Sequence, residues 1–200
     1  MSFVGGQVAQ RSYWENAMSE TLSKALILTM LQHAEQFPWR MQDIGLMGLR
    51  LDDRREYRLH VWDPSDCIGE PPIHDHPYDF TSTIIAGELT NSRYEEDSAG
   101  DEYVRFRYSP GAESERWSDA VRLSSTATTF AEGSQYRQLA HELHASWQQP
   151  GTVTAIRCSW VEAPELTVCV RDEGSWRSGQ GRDATREEIK SFTAKALEWF

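Results

Sequence analysis

From Glu56 to Val170 the chain consists of short segments with alternating apolar residues, interrupted at frequent intervals by Gly, Pro, Asp and Ser. That pattern predicts an all-β barrel or sandwich. Tyr57–Trp62 alternates as a strand, and Asp63–Asp66 reads as a turn. Further strands are expected around His74–His76, Phe80–Leu89, Tyr103–Tyr108, Val121–Leu123, Thr126–Phe130, Tyr136–Trp147, Thr152–Trp160 and Leu166–Val170. The charged, Gly- and Ser-rich stretch Asn91–Asp119 reads as an exposed hairpin inserted among them.

Helical periodicity is confined to the ends. Ser12 is placed to cap a helix from Tyr13 to Gln36, with Trp14, Met18, Leu22, Ala25, Leu26 and Leu28 on its inner face, and Phe37-Pro38 ends it. Met41–Leu49 reads as a short helix or irregular segment. Thr185-x-x-Glu188 is a capping box, opening a helix that carries Ile189, Phe192, Ala196 and Trp199 at helical spacing. The expected organisation is an N-terminal helical extension (1–55), a β-domain (56–172), and a linker with a C-terminal helix (173–200).

Histidines carry the chemistry. His74 and His76 are separated by one residue, so on a strand their rings leave the same face and can converge on one cation. A third imidazole from a remote strand, His144, closes a facial set of ligands with open positions left for substrate. Structural zinc sites usually have four protein ligands, so three point to catalysis. On the preceding strand Arg58, His60 and Trp62 share one face and Tyr57, Leu59 and Val61 the other. If the more apolar set packs under the helix, Arg58 and His60 face a cavity, where an arginine suits a carboxylate. Arg157 is a similar candidate.

Composition narrows the partners. A net charge of −11 argues against a phosphate backbone as ligand, which needs clustered Lys and Arg. The longest apolar stretch, Ala25–Leu31, is far short of the ~20 residues a bilayer requires, and no secretory signal is apparent. Three cysteines without C-x-x-C spacing indicate neither a disulfide framework nor a zinc knuckle, so a cytoplasmic setting is expected. The expected partner is a small-molecule substrate, with neither nucleic acid nor membrane.

The histidine segments resemble the two motifs of the cupin superfamily. In the first, His74, His76 and Gly87 fall in register, Gly69 lies one position late, and Phe80 occupies the glutamate position. In the second, Gly133 and His144 match, while Leu139 and His141 replace the proline and second glycine, and Gln148 stands for the asparagine. The resemblance covers about residues 56–170. It implies a mainly β fold, a jelly-roll β-barrel with N-terminal helices and a C-terminal helix, and a homodimer as the family habit. Without the glutamate the pattern is similar to the thiol dioxygenase branch, in which three neutral histidines hold ferrous iron. The implied function is a mononuclear non-haem iron dioxygenase acting on an amino acid or thiol. The alternatives are a zinc or nickel cupin with lyase, isomerase or condensation chemistry, and a non-enzymatic small-molecule binder. His74, His76 and His144 are the expected ligands of one divalent metal, Fe(II) ahead of Zn or Ni. Arg58, His60 and Asp79 are the expected catalytic contacts. Asp79 sits next to the vacant glutamate position, as a fourth ligand, a turn residue or an acceptor for an imidazole N–H, and His141 is the rival of His144.

Overall fold

The computed structural model describes residues 23–42, 44–54, 56–67, 70–109, 117–160, 165–172 and 181–200. Among the described residues it is mainly β, with two antiparallel sheets and two α-helices. The larger sheet runs β12 (Arg182–Asp183), β1 (Arg40–Gln42), β2 (Ile44–Arg50), β3 (Tyr57–Cys67), β10 (Val153–Trp160), β5 (Tyr78–Ala86) and β8 (Gln135–Gln138). The smaller runs β11 (Leu166–Val170), β4 (Ile73–His74), β9 (Leu143–Gln148), β6 (Glu88–Tyr108) and β7 (Trp117–Ala131).

Alternation along each strand sends one set of side chains between the sheets and the other outward. Tyr78, Phe80 and Ile84 of β5, Ile156 and Cys158 of β10 and Tyr136 of β8 meet Leu89 of β6 and Phe130 of β7 in the intersheet core. The outer face of the larger sheet is covered by helices α1 (Lys24–Gln32) and α2 (Arg186–Leu197). There Leu59, Val61, Met47 and Val153 pack against Ile27, Met30, Leu31, Ile189, Phe192 and Ala196. Leu59 and Val61 under the helices leave Arg58 and His60 facing inward, as their parity requires.

The C-terminal helix forms as its sequence indicates. Thr185 Oγ1 accepts from Glu188 N, and the Glu188 carboxylate accepts from Thr185 N. Ile189, Phe192 and Ala196 are buried, whereas Trp199 is exposed. At the other end, Ser23 caps α1 through a hydrogen bond from Leu26 N, and the helix stops at Gln32 before a single 3-10 turn. The expected helix from Tyr13 to Gln36 is thus not continuous at Ser23, and Ser12 through Leu22 lie outside the described residues.

Three expectations are corrected. Met41–Leu49 is not helical: β1 and β2 form a hairpin that extends the larger sheet through pairing of β2 with β3. Asp63–Asp66 is not a turn but continues β3. Asn91–Asp119 does lie in a hairpin, β6 with β7, but it is not exposed throughout: β6 also flanks β9 with residues 89–94 and β11 with residues 104–108. A register shift between Glu96 and Asp101 allows this bend, so the smaller sheet curls on itself around Ile73, Tyr103, Val121, Leu123, Ala145 and Cys169. In addition, Val121–Leu123 and Thr126–Phe130 belong to one strand, and Tyr136–Trp147 is divided by a turn at residues 139–142 into β8 and β9.

One buried ion pair ties α2 to the sheet. The Asp63 carboxylate is fully buried and accepts from Lys195 Nζ, Ser65 Oγ and Ser65 N. Burial alone raises a carboxyl pKa, but these hydrogen bonds and the Lys195 charge together outweigh it and hold Asp63 below its ordinary range. A depressed carboxylate adds stability that is fully present above its unfolded value, ~3.9, and is lost as pH falls through the folded value. Lys195→Met should therefore cost about 2–3 kcal/mol at pH 7, since it leaves a buried charge without its cation. Denaturant titration at pH 7 and pH 3 should show the wild-type advantage shrinking at the lower pH.

Candidate metal centre

Three elements bring the histidines together. His74 lies on β4, paired directly opposite His144 on β9, and His76 lies in the link from β4 to β5. The ring centroids are 4.7 Å apart for His74–His76, 4.8 Å for His74–His144 and 5.1 Å for His76–His144. One ligand nitrogen from each lies within 4.8 Å of the others. Among the described residues this is the one His, Cys, Asp or Glu group so arranged.

Hydrogen bonds decide which nitrogens point inward. His74 Nδ1 is 2.9 Å from the Pro72 carbonyl, and His144 Nδ1 is 2.8 Å from Asn91 Oδ1. A carbonyl oxygen accepts only, so both Nδ1 atoms carry the proton and both Nε2 atoms keep a lone pair. His76 Nε2 lies 3.0 Å from His144 Nε2. At metal–nitrogen distances of ~2.1 Å, two nitrogens that close subtend roughly a right angle at a shared ion.

Burial favours the form that binds metal. His74, His76 and His144 are all held below the ordinary histidine pKa, by desolvation first. Neighbouring positive charge adds to this for His76 and His144, while for His74 the Pro72 carbonyl and Asp75 partly oppose it. Neutral imidazole is what a cation requires, because a protonated ring has no free lone pair. His144 is buried and the other two are half-buried, so the cluster lies near the surface of the intersheet core.

Aromatic residues wall one side. His76 stacks on Tyr78 with centroids 4.9 Å apart, and Phe80 sits edge-on to His76 at 5.3 Å and 5.8 Å from the His144 ring. Phe80 is 6% exposed and stands where the cupin resemblance expects a glutamate. Asp79 does not replace it. It alternates to the other face of β5, where Oδ1 accepts from Ala140 N and Oδ2 pairs with Arg137, so it braces the β8–β9 turn and is not in the histidine cluster. Asp75, between the two histidines, also turns away and accepts from Thr167 N.

His141 is likewise excluded from the cluster. It sits at the apex of the β8–β9 turn with φ 64°, and its Nδ1 is 3.8 Å from Asp75 Oδ2. A left-handed backbone is uncommon for a residue with a Cβ. Gly87 and Gly133 adopt the same region, at φ +80° and +81°, in the turns that close β5–β6 and β7–β8. Glu142 shares parity with His144, but its Oε2 accepts from Leu139 N and Gln138 Nε2.

Arg58 and His60 approach from β3. Arg58 Nη1 donates to Tyr78 Oη at 2.8 Å, with the guanidinium 4.7 Å from the Tyr78 ring centre. Burial, then the Arg58 charge, pushes His60 down to about 3, and its Nδ1 is buried without a hydrogen-bond partner among the described residues. The His60 ring packs edge-on to Trp62, 5.7 Å away, and over Gly48 of β2. Arg157, by contrast, is exposed on the outer face of β10 beside Tyr57. Cys158 and Cys169 are free and buried, with their thiols pushed up by desolvation, so neither is set up as a nucleophile.

Asn91 and Gln138 are part of the site and were not singled out from the sequence. Polar residues on strands are ordinarily solvent-facing, and neither lies near a histidine in the chain. No family model matches the chain, and no curated protein matches it.

Proposed function

We propose that this chain is a small cupin-type metalloenzyme with a jelly-roll barrel, in which His74, His76 and His144 hold one ferrous ion. Its reaction is the dioxygenation of a small amino acid or thiol. The observation that carries this reading is the 3.0 Å approach of His76 Nε2 to His144 Nε2 while Asn91 holds the His144 proton on the far nitrogen. Two ring nitrogens drawn together beside a third imidazole suit a shared cation, and three protein ligands leave room for substrate.

Ferrous iron, when bound, supplies the capacity to activate dioxygen that no amino-acid side chain has. The protein's own groups orient and enclose the substrate. Arg58, steadied by Tyr78, offers a guanidinium fork to a substrate carboxylate, and His60 Nδ1 supplies a buried polar contact beside it. Phe80 keeps a carboxylate out of the ligand set, so the ion retains its full charge toward an anionic substrate group. Tyr78 and Phe80 also exclude water from that side. No described helix is long and apolar enough to cross a membrane. The two buried free thiols fit a reducing, cytoplasmic setting.

The test is elemental analysis of protein purified without added metal, followed by oxygen-electrode assays on a panel of small amino acids and thiols. Iron near one equivalent with substrate-dependent oxygen uptake is expected. Zinc or nickel at one equivalent, with no uptake after anaerobic exchange to iron, would overturn the dioxygenase reading in favour of non-redox Lewis-acid chemistry.

A further inference from the structure

We infer that Gln138 and Asn91 form a positioning relay that sets the protonation pattern of His144 from a distance, and so decides whether its inner nitrogen can bind a cation. The relay is a chain of buried side-chain hydrogen bonds. Gln138 Nε2 donates to the Glu142 backbone carbonyl and to Glu142 Oε2, at 3.2 and 3.1 Å. Asn91 Nδ2 donates to Gln138 Oε1 at 3.2 Å. Asn91 Oδ1 then accepts from Ser146 Oγ and His144 Nδ1. Gln138 is completely buried and Asn91 nearly so.

The direction of this chain is forced at its outer end. A carbonyl and a carboxylate have acceptors and no donor, so Gln138 must present its amide nitrogen to Glu142. Its oxygen is thereby turned to Asn91, which must answer with its own nitrogen. That leaves Asn91 Oδ1 facing His144, and an oxygen there obliges the imidazole to keep its proton on Nδ1. The lone pair falls on Nε2, the atom nearest His76. Leu139 N, donating to the same Glu142 oxygen at 2.9 Å, holds the carboxylate in place at the turn. The Ser146 hydroxyl can donate or accept, so it does not fix the direction by itself. A buried amide flipped the wrong way would leave like groups facing each other, which the low dielectric makes costly.

This inference rests on the metal reading of the site but is separable from it, because it can be read in metal-free protein. The informative variant is Gln138→Met, which leaves the three histidines and Asn91 in the sequence, keeps the volume, and removes the hydrogen bond that orients Asn91. In wild-type protein, long-range nitrogen–proton NMR spectra should show His144 with a protonated Nδ1 and a bare Nε2. In Gln138→Met the His144 nitrogens should shift toward a mixture of the two tautomers. Zinc(II) affinity should fall by roughly 10-fold or more, as is usual when a partner of a metal-ligating histidine is lost. Asn91→Leu should weaken zinc further, and Asn91→Asp should keep the proton on His144 Nδ1 but lose stability, since its second oxygen faces Gln138 Oε1. Circular dichroism and thermal unfolding identify variants that have lost the fold. Wild-type His144 protonated on Nε2, or folded Gln138→Met with unchanged His144 nitrogens and zinc affinity, would overturn the relay. Wild-type protein with the expected tautomer that binds no zinc would contradict the metal reading and leave the relay standing.

Discussion

His144→Ala should lower metal affinity by more than about 100-fold while the fold persists. Loss of a hydrogen-bond partner behind a metal-ligating histidine already costs 10–100-fold, and removal of the ligand must cost more. His144 is one of three nitrogens in the set, and among the described residues no carboxylate stands ready to replace it, since Asp79 and Glu142 are committed to the β8–β9 turn. Its removal also leaves Asn91 Oδ1 without its imidazole donor, so some stability is lost too. Equilibrium dialysis against zinc(II), with far-ultraviolet circular dichroism on the same sample, checks both halves. His76→Ala should behave alike. Metal retained at wild-type affinity by both variants would remove the site.

Phe80→Glu should produce the second large effect, in opposite directions with and without metal. The ring is buried against His76 and His144, and its loss from the core alone costs about 3–5 kcal/mol. The introduced carboxylate is buried against two neutral imidazoles, which adds to the cost. Metal-free variant should therefore melt on the order of 10 °C lower than wild type, given about 2–4 °C per kcal/mol for a chain of this size. One divalent ion supplies the missing charge, so zinc should raise the variant's melting temperature by more than it raises the wild type's. Calorimetric scans of both proteins, with and without zinc, measure this directly. Equal responses to zinc would mean that residue 80 does not face the ion.

Much of the site could be read in the chain, because spacing encodes it. The turn glycines at 87 and 133 place side chains by local geometry alone, whereas β4 ends at His74 and His76 lies in the link that follows, so strand parity does not account for their meeting. Arg58 and His60 were also assignable to the inner face, since the opposite face of β3 is apolar and must meet the helices. The capping box at Thr185 and Glu188 is equally local. What escaped was non-local. β2 is buried on both faces, so Leu46, Met47 and Leu49 show no alternation and pass for a helix. Asp63 looks like a turn former, and only Lys195, far along the chain, explains why it lies buried in a strand. Asp79 was drawn toward the ion by its position in the chain, yet its parity on β5 points it to Arg137. Asn91 and Gln138 gain their meaning from contacts across the two sheets, which no local pattern announces. The charge of Asn91–Asp119 hid a strand whose bend closes the smaller sheet.

X-ray absorption on protein loaded with one equivalent of zinc(II) tests the central arrangement most directly. The account predicts an inner shell containing imidazole nitrogens at ~2.0–2.1 Å with the multiple-scattering pattern of about three histidines. A shell dominated by sulfur, or by oxygen with a single imidazole, would contradict the meeting of His74, His76 and His144 at one ion.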